Sequence, residues 1–397
     1  MKHLFLLFLA CCQAIGLLAQ VTPKTMLRLP DTGQTQSFTA TFGEDADYAI
    51  HLPGFWLHAD GTVTDSVTGL MWQKGDGGEM TYENAEAYCA NLTLGGHDDW
   101  RLPTAQEAFS ILHHGKAPPA LDPATFATTP AEYWWTSERQ VGNASKVWVS
   151  NAGGGIGNHL KTETLSAGGT KRFHVRAVRD VQPPRSVAQR FTPLLNTVID
   201  SLTGLEWQRF IVPTLQDSMT WEAALAYAEN LVLAGKSDWR LPNIKEMQSL
   251  NDETLSQPSL NTSVFPGIGI CKFWSSTTLY NQPARAWYLD SRFGITTYDL
   301  KTARNYFLCV RGPWQTSATE DLAATPAPQV SPNPFSSRFR VLTDEADAWY
   351  ELRDCTGRPV YAGPAPDQQD FSTLPAGFYA LTLHGHRRSA SVRLLKL

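Results

Sequence analysis

The chain has 397 residues, 42% of them hydrophobic and 18% charged, with 13 tryptophans. That composition excludes a disordered chain, a coiled coil or collagen, and the length accommodates several buried cores. With 33 Lys+Arg against 38 Asp+Glu, a net charge of −5, there is no bulk basic field, so nucleic acid is not an expected partner.

Residues 1–20 carry Lys2, an apolar run from Leu4 to Ala10 and a small/polar end at Ala19-Gln20, the pattern of a secretory signal peptide. An alternative makes Cys11 a lipid-modified N-terminus, although the apolar run before it is short. No later stretch approaches the ~20 apolar residues of a membrane helix, so no transmembrane segment is expected. A secreted or outer-membrane cell-surface location follows.

Farther along, Thr62-Val63-Thr64 and Leu70-Met71-Trp72 flank a Thr-Gly turn and predict a hairpin. Thr81 is placed to cap a helix whose Tyr82, Ala85, Tyr88 and Leu92 share one face. Thr104 and Glu107 form a capping box that starts a second helix. Alternating strands such as Lys146–Val149 and Arg172–Arg179 complete the unit.

The same series then repeats. Asp99-Trp100-Arg101-Leu102-Pro103 returns as Asp238-Trp239-Arg240-Leu241-Pro242, and Trp135 and Trp148 return as Trp274 and Trp287, each 139 residues on. Asp65, Thr68-Gly69-Leu70 and Trp72-Gln73 return as Asp200, Thr203-Gly204-Leu205 and Trp207-Gln208, 135 residues on. Thr220 and Asn243 repeat the helix starts, and Ala177-Val178-Arg179 returns as Cys309-Val310-Arg311. Two whole-domain copies are therefore expected at 27–180 and 186–312. Each is α+β, two helices on antiparallel strands. A Pro/Ala/Thr-rich linker at 313–330 leads to short alternating strands in 331–397, predicted as a small all-β sandwich.

Beyond the signal, Cys89, Cys271, Cys309 and Cys355 fit no zinc spacing, which leaves structural disulfides or free thiols open. Tryptophans filled identically in both copies, Trp72/207, Trp100/239, Trp135/274 and Trp148/287, are expected in cores. The unpaired aromatics Trp56, Tyr133, Trp134, Tyr288 and Tyr298 are then the ligand-stacking candidates. Residues 161–190 hold seven Lys/Arg, among them Lys171, Arg172 and Arg176, against Glu163 and Asp180, and this local excess could attract acidic glycans or serve as a solvated edge. Glu44, Asp45, Asp47, Asp60 and Asp65 could supply oxygens to calcium, the one candidate cofactor, or act as turn residues. Asp99 and Arg101, like Asp238 and Arg240, are placed to pair within their loop; His113-His114 reads as a solvated helix end, and Gly153–Gly155 as a flexible loop. No nucleophile elbow, zinc-protease or P-loop motif occurs, so catalysis is not expected.

On Leu29–Thr35, Gly43–Tyr48, Asp60–Asp65, Thr68–Gln73 and Asp99–Pro103, both copies resemble the Lcl C-terminal domain family, a bacterial extracellular module; the second lacks the Asp-Thr-Gly-Gln-Thr lead. The resemblance implies a fold related to C-type lectins and roles in adhesion and glycan binding, without a shared catalytic residue. The calcium-lectin triplets Glu-Pro-Asn and Trp-Asn-Asp are absent, so sugar binding through calcium is not implied. Members often pair a first-helix cysteine with one in the closing strand; here Cys89 faces Ala177, and Ala228 faces Cys309, so each copy keeps half. Cys271–Cys309 is the preferred alternative bridge, whereas Cys89–Cys309 would need the copies to dock. Ser331–Phe335, Leu374–Tyr379 and Arg393–Lys396 resemble the type A C-terminal sorting domain of the type IX secretion system, which implies that machinery as a partner. The expected function is a non-enzymatic surface protein that recognises a glycan or glycoprotein through two domains in series. An extracellular enzyme acting on polysaccharide or protein, or a structural envelope protein, are the alternatives.

Overall fold

The computed structural model describes residues 22–116, 118–127, 129–164, 172–181, 185–210, 218–312, 329–342, 349–354, 358–384 and 389–397. The stretch 1–20 expected to be a signal peptide, Lys171, Cys355 and nearly all of the expected linker lie outside them. The chain divides into two compact units, Met1–Gln315 and Thr316–Leu397.

The first unit runs β1 (Thr22–Lys24), β2 (Phe55–Leu57), β3 (Thr62–Asp65), β4 (Leu70–Gln73), α1 (Tyr82–Asn91), α2 (Ala105–Ser110), β5 (Tyr133–Arg139), β6 (Lys146–Asn151), β7 (Ile156–Leu160), β8 (Phe173–His174), β9 (Val178–Asp180) and β10 (Arg185–Val187). The second copy adds β11 (Phe191–Pro193), β12 (Thr197–Asp200), β13 (Leu205–Gln208), α3 (Trp221–Glu229), α4 (Ile244–Ser249), β14 (Lys272–Thr278), β15 (Arg285–Asp290), β16 (Ile295–Leu300) and β17 (Val310–Arg311). One four-stranded sheet appears twice, as β2-β3-β4-β9 and β11-β12-β13-β17. The predicted hairpin is β3–β4. Both capping boxes form: Thr104 Oγ1 accepts from Glu107 N (3.1 Å), and Asn243 Oδ1 from Glu246 N (2.9 Å). Thr81 and Thr220 occupy the N-cap positions of α1 and α3, but their hydroxyls accept no capping hydrogen bond.

The two copies are one body. A single seven-stranded sheet, β14-β15-β16-β7-β6-β5-β8, passes through both, joined where Thr296 of β16 pairs with Ile156 of β7. Ile156 N also donates to Thr296 Oγ1 at 2.8 Å. The core crosses the same seam, since Ile244, Leu279 and Trp287 of copy two pack in one cluster with Trp72, Phe109 and Trp148 of copy one. All eight repeated tryptophans are buried, none more than 3% exposed. Burying rings of this size is the largest apolar contribution that a single residue makes.

Helix α2 meets α4 at the centre, where the equivalent side chains Gln106 and Lys245 cross over. Gln106 Nε2 donates to Gln248 O (2.7 Å), and Lys245 Nζ donates to Ser110 O (2.7 Å) and Asp31 O (2.8 Å). Each thereby satisfies a last-turn carbonyl of the other copy's helix.

The second unit holds β18 (Gln329–Ser331), β19 (Arg340–Leu342), β20 (Trp349–Arg353), β21 (Pro359–Gly363), β22 (Gly377–His384) and β23 (Ser389–Lys396). Its sheet order is β21-β20-β22-β23, with β18 and β19 as a separate ribbon. Phe335, Phe339, Leu352, Phe371, Leu381 and Leu394 form its core.

Candidate binding groove

The Asp-Trp-Arg-Leu-Pro segment lies between the first helix and the closing strand of each copy. Trp100 Nε1 reaches Leu94 O and His97 O (both 3.2 Å), and Trp239 Nε1 reaches Leu233 O (3.3 Å), which pins the segment to the preceding turn. The capping-box glutamate then takes the arginine. Arg101 donates to both oxygens of Glu107 (2.7 and 2.9 Å) and to Asp180 (3.0 Å); Arg240 donates to both oxygens of Glu246 (each 2.6 Å). Such two-pronged pairing fixes a guanidinium plane as well as a charge. The aspartates expected to pair with these arginines instead take the closing strand: Asp99 binds Arg179 (2.6 Å) and Asp238 binds Arg311 (2.6 Å).

Around this frame the copies differ. In copy two, the lead segment at the start of copy one lies across the groove. Gln34 Nε2 donates to Thr278 O (3.0 Å), and Thr278 N donates to Gln34 Oε1 (3.2 Å). Thr32 Oγ1 (2.8 Å) and Thr277 Oγ1 (2.6 Å) both donate to Asp45 Oδ2, while Thr278 Oγ1 donates to Glu44. Burial pushes the Asp45 carboxyl up to about 7, against the lowering effect of those two hydroxyls. Tyr48 finishes the plug: its hydroxyl donates to Glu229 Oε1 (2.7 Å), and the Arg240 guanidinium lies 5.3 Å from its ring centroid. Two glycines let the segment lie close to its neighbours, one against each copy. Gly33 (φ +82) and Gly43 (φ +112) sit where a Cβ would come within 2.8 Å of the His113 ring and of Glu229 respectively.

In copy one the same groove is open, with a volume of about 430 Å³. Its floor is Cys89, Trp100 and Leu102; Ala90, Thr104 and Ser137 line its side. The Arg101 side chain is 33% exposed, against 5% for Arg240 under Tyr48. Glu86 and Asp180 on the rim are engaged, by the Tyr82 hydroxyl (2.7 Å) and by Arg101. Burial pushes the Cys89 thiol up to about 12, which keeps it protonated and unreactive.

The sequence-predicted residues fall elsewhere. Trp134 (5% exposed) and Tyr288 (7%) are core residues, not ligand-facing ones. Their repeat counterparts are Phe273 and Val149, also buried, so an apolar position was conserved in kind though not in identity. Tyr133 is half-buried and stacks on Phe173 at 4.8 Å; Trp56 is half-buried on β2, opposite Thr64. Tyr298 is exposed, with Arg285 5.6 Å from its ring. Arg176 is buried: its Nη1 donates to Gln73 O (3.0 Å) and Lys74 O (2.8 Å), and its guanidinium packs on Phe126 at 5.0 Å.

Four of the described basic residues of the stretch are ion-paired. Arg172 binds Glu79, Lys161 binds Glu83 (2.8 Å), Arg179 binds Asp99 and Arg190 binds Asp200 (3.1 Å).

Of the calcium candidates, Glu44, Asp45 and Asp47 share the lead segment, where Asp47 accepts from Gly43 N (3.0 Å) and Ser37 Oγ (2.9 Å). Asp60 accepts from Thr62 N (3.0 Å), and Asp65 from Val67 N (2.9 Å) in a separate tight turn. Among the described residues, no three His, Cys, Asp or Glu side chains converge as a metal site.

Cys271 and Cys309 are free thiols, which corrects the expected bridge. Cys309 is buried among Trp221, Ala228 and Phe307, whereas Cys271 packs against a different cluster with Leu260 and Phe273. His114 is likewise not a solvated helix end. It lies buried 5.4 Å from both Phe109 and Trp287, its Nε2 is 2.9 Å from Gly154 O, and burial lowers it to about 3. The glycine loop expected to be flexible is packed there, with Gly154 against the Trp287 ring.

The Lcl C-terminal domain model matches residues 61–179 and 196–311, together more than half of the chain. The chain belongs to the Lcl C-terminal domain family. No curated protein matches it. Among solved structures it is similar to one described as "Structural and functional probing of PorZ, an essential bacterial surface component of the type-IX secretion system of human oral-microbiomic Porphyromonas gingivalis", at 13% identity and a TM-score of 0.17. That match covers 67% of this chain and 30% of the other, and is too slight to bear on fold or role. Both Lcl C-terminal matches contain the Asp-Trp-Arg-Leu-Pro segment and its capping-box glutamate, but the lead segment that fills the second groove lies outside them. Sequence reading located the frame and missed the groove, because Tyr48 and Arg240 are 192 positions apart; the one available signal was the missing lead of copy two.

Proposed function

We propose that this Lcl C-terminal domain protein is a secreted or outer-membrane cell-surface binding protein, not an enzyme, that recognises a glycoprotein or glycan through lectin-like copies and is exported by its C-terminal sorting unit. The observation that supports this reading is the copy-one groove: an apolar floor, a fixed guanidinium and no free acid–base pair. Its carboxylates already hold partners and its thiol is protonated, so the recess offers shape and stacking rather than chemistry. The five lead and turn acids accept from hydroxyls and backbone N–H groups, which favours recognition without calcium.

The test is an array of glycans and glycoproteins probed with the chain from residue 21 onward, with and without EDTA. We expect EDTA-insensitive binding that is reduced by Ala90→Trp, a substitution at an exposed helix position that fills the groove. Silence across the array, or turnover of any probe, would contradict the proposal.

A further inference from the structure

The second copy displays what this kind of groove accepts, and the first copy repeats the receiving surface. Cys89, Trp100, Arg101, Leu102 and Thr104 stand 139 positions before Ala228, Trp239, Arg240, Leu241 and Asn243. Among the described residues there are two such grooves and one lead segment, and that segment is committed: Thr32 and Glu44 are fully buried and bonded to copy two. From the open groove we infer a docking site for a peptide segment of a partner protein that carries an aromatic residue four positions after an acidic one across a single 3-10 turn, the spacing and shape of Glu44 and Tyr48. This rests on the binding reading above and names the polypeptide part of the ligand.

Three features support the choice. The Arg101 plane is held in place, partly exposed, and available for a ring to stack on as Tyr48 does on Arg240. Arg139, exposed at the end of β5 with its guanidinium 5.8 Å from the ring of Tyr82, whose hydroxyl holds the rim residue Glu86, replaces Thr278, the residue that receives Glu44, so an acidic side chain arriving there is offered a cation beside the rim in place of a hydroxyl. Glu138 replaces Thr277. Its Oε2 accepts from Ala105 N (2.6 Å), just as Thr277 Oγ1 accepts from Ile244 N (2.9 Å). The carboxylate that Asp45 brings to that place in copy two is thus built into copy one, and the incoming peptide needs none there. A second copy of this chain is the less suited source, because its lead would have to leave the buried bonds it already makes.

The probe is a fluorescent synthetic peptide with the sequence of residues 37–50, titrated against the chain from residue 21 onward and read by anisotropy. We expect saturable binding, weakened about tenfold or more when the peptide's tyrosine is replaced by alanine, and abolished by Ala90→Trp. Arg139→Ala should weaken the parent peptide but leave a peptide with Gln at the Glu44 position unaffected. Ala90→Glu recreates Glu229 and should tighten the tyrosine peptide about tenfold while leaving its phenylalanine analogue unchanged, a gain that misfolding cannot imitate. Absence of binding at millimolar peptide, or binding that survives Ala90→Trp, overturns the inference. A dimer that Ala90→Trp dissociates in sedimentation also overturns it, assigning the groove to a second copy. Array binding that persists without peptide binding would sink this inference and leave the proposed function standing.

Discussion

Arg101 and Arg240 have the same sequence neighbours and opposite surroundings, because one carries Tyr48 and the other does not. The residue that ties the plug down is Asp45. Its carboxyl is shifted up to about 7 from near 4, so between those values the folded chain binds a proton that the unfolded chain does not. Stability from this group is complete below about pH 4 and lost as pH rises toward 7. Denaturant titrations of wild type and Asp45→Asn should therefore diverge by roughly 1.4 kcal/mol per pH unit in that window and run parallel above it. The amide keeps a carbonyl oxygen for Thr32 and Thr277. A difference that does not vary between pH 4 and 7 would contradict the assignment. Among the repeated rings, Trp274 is fully buried and donates to Met219 O (3.0 Å); Trp274→Ala should cost roughly 3–5 kcal/mol in the same assay. These tryptophans were legible in the sequence because identity at a repeated position marks a place that both copies must fill. Trp134 and Tyr288 were not, since Phe273 and Val149 satisfy the same burial with different outlines.

At the scale of elements, what could be read was local. The β3–β4 hairpin and the boxes that open α2 and α4 each depend on residues a few positions apart, and each stands where composition put it. What could not be read joins distant parts of the chain. The lead segment contributes no helix and one turn of 3-10 helix (Asp45–Asp47), yet it clasps β14 through Gln34, Glu44 and Asp45. No periodicity announces such a contact. Replacing Thr278 with valine removes the donor to Glu44 and leaves a buried carboxylate short of a partner, which should cost about 1–3 kcal/mol. It should also raise amide exchange over residues 32–48 more than in the β2–β4 sheet. Equal protection in both regions would show that the clasp does not depend on this bond.

For the molecule as a whole, the repeat predicted two domains in series, and one sheet and one core join them. Copy two produced alone, as residues 186–312, would expose Ile244, Leu279 and Trp287 and leave the buried Lys245 without the carbonyls of Asp31 and Ser110. An unpaired buried cation and an open apolar face are each enough to unfold a marginal domain. We expect that fragment to bind a hydrophobic dye and lack a cooperative melt, whereas residues 22–312 melt in a single step. A sharp independent transition for 186–312 would show that the shared core is dispensable.

The pairing of Thr296 with Ile156 has a historical consequence. Once duplicated sequences share a sheet, neither half can drift freely, because each change at the border is judged by its twin. Variation tolerated by natural selection should gather at the rims, and the halves should be lost or inherited together.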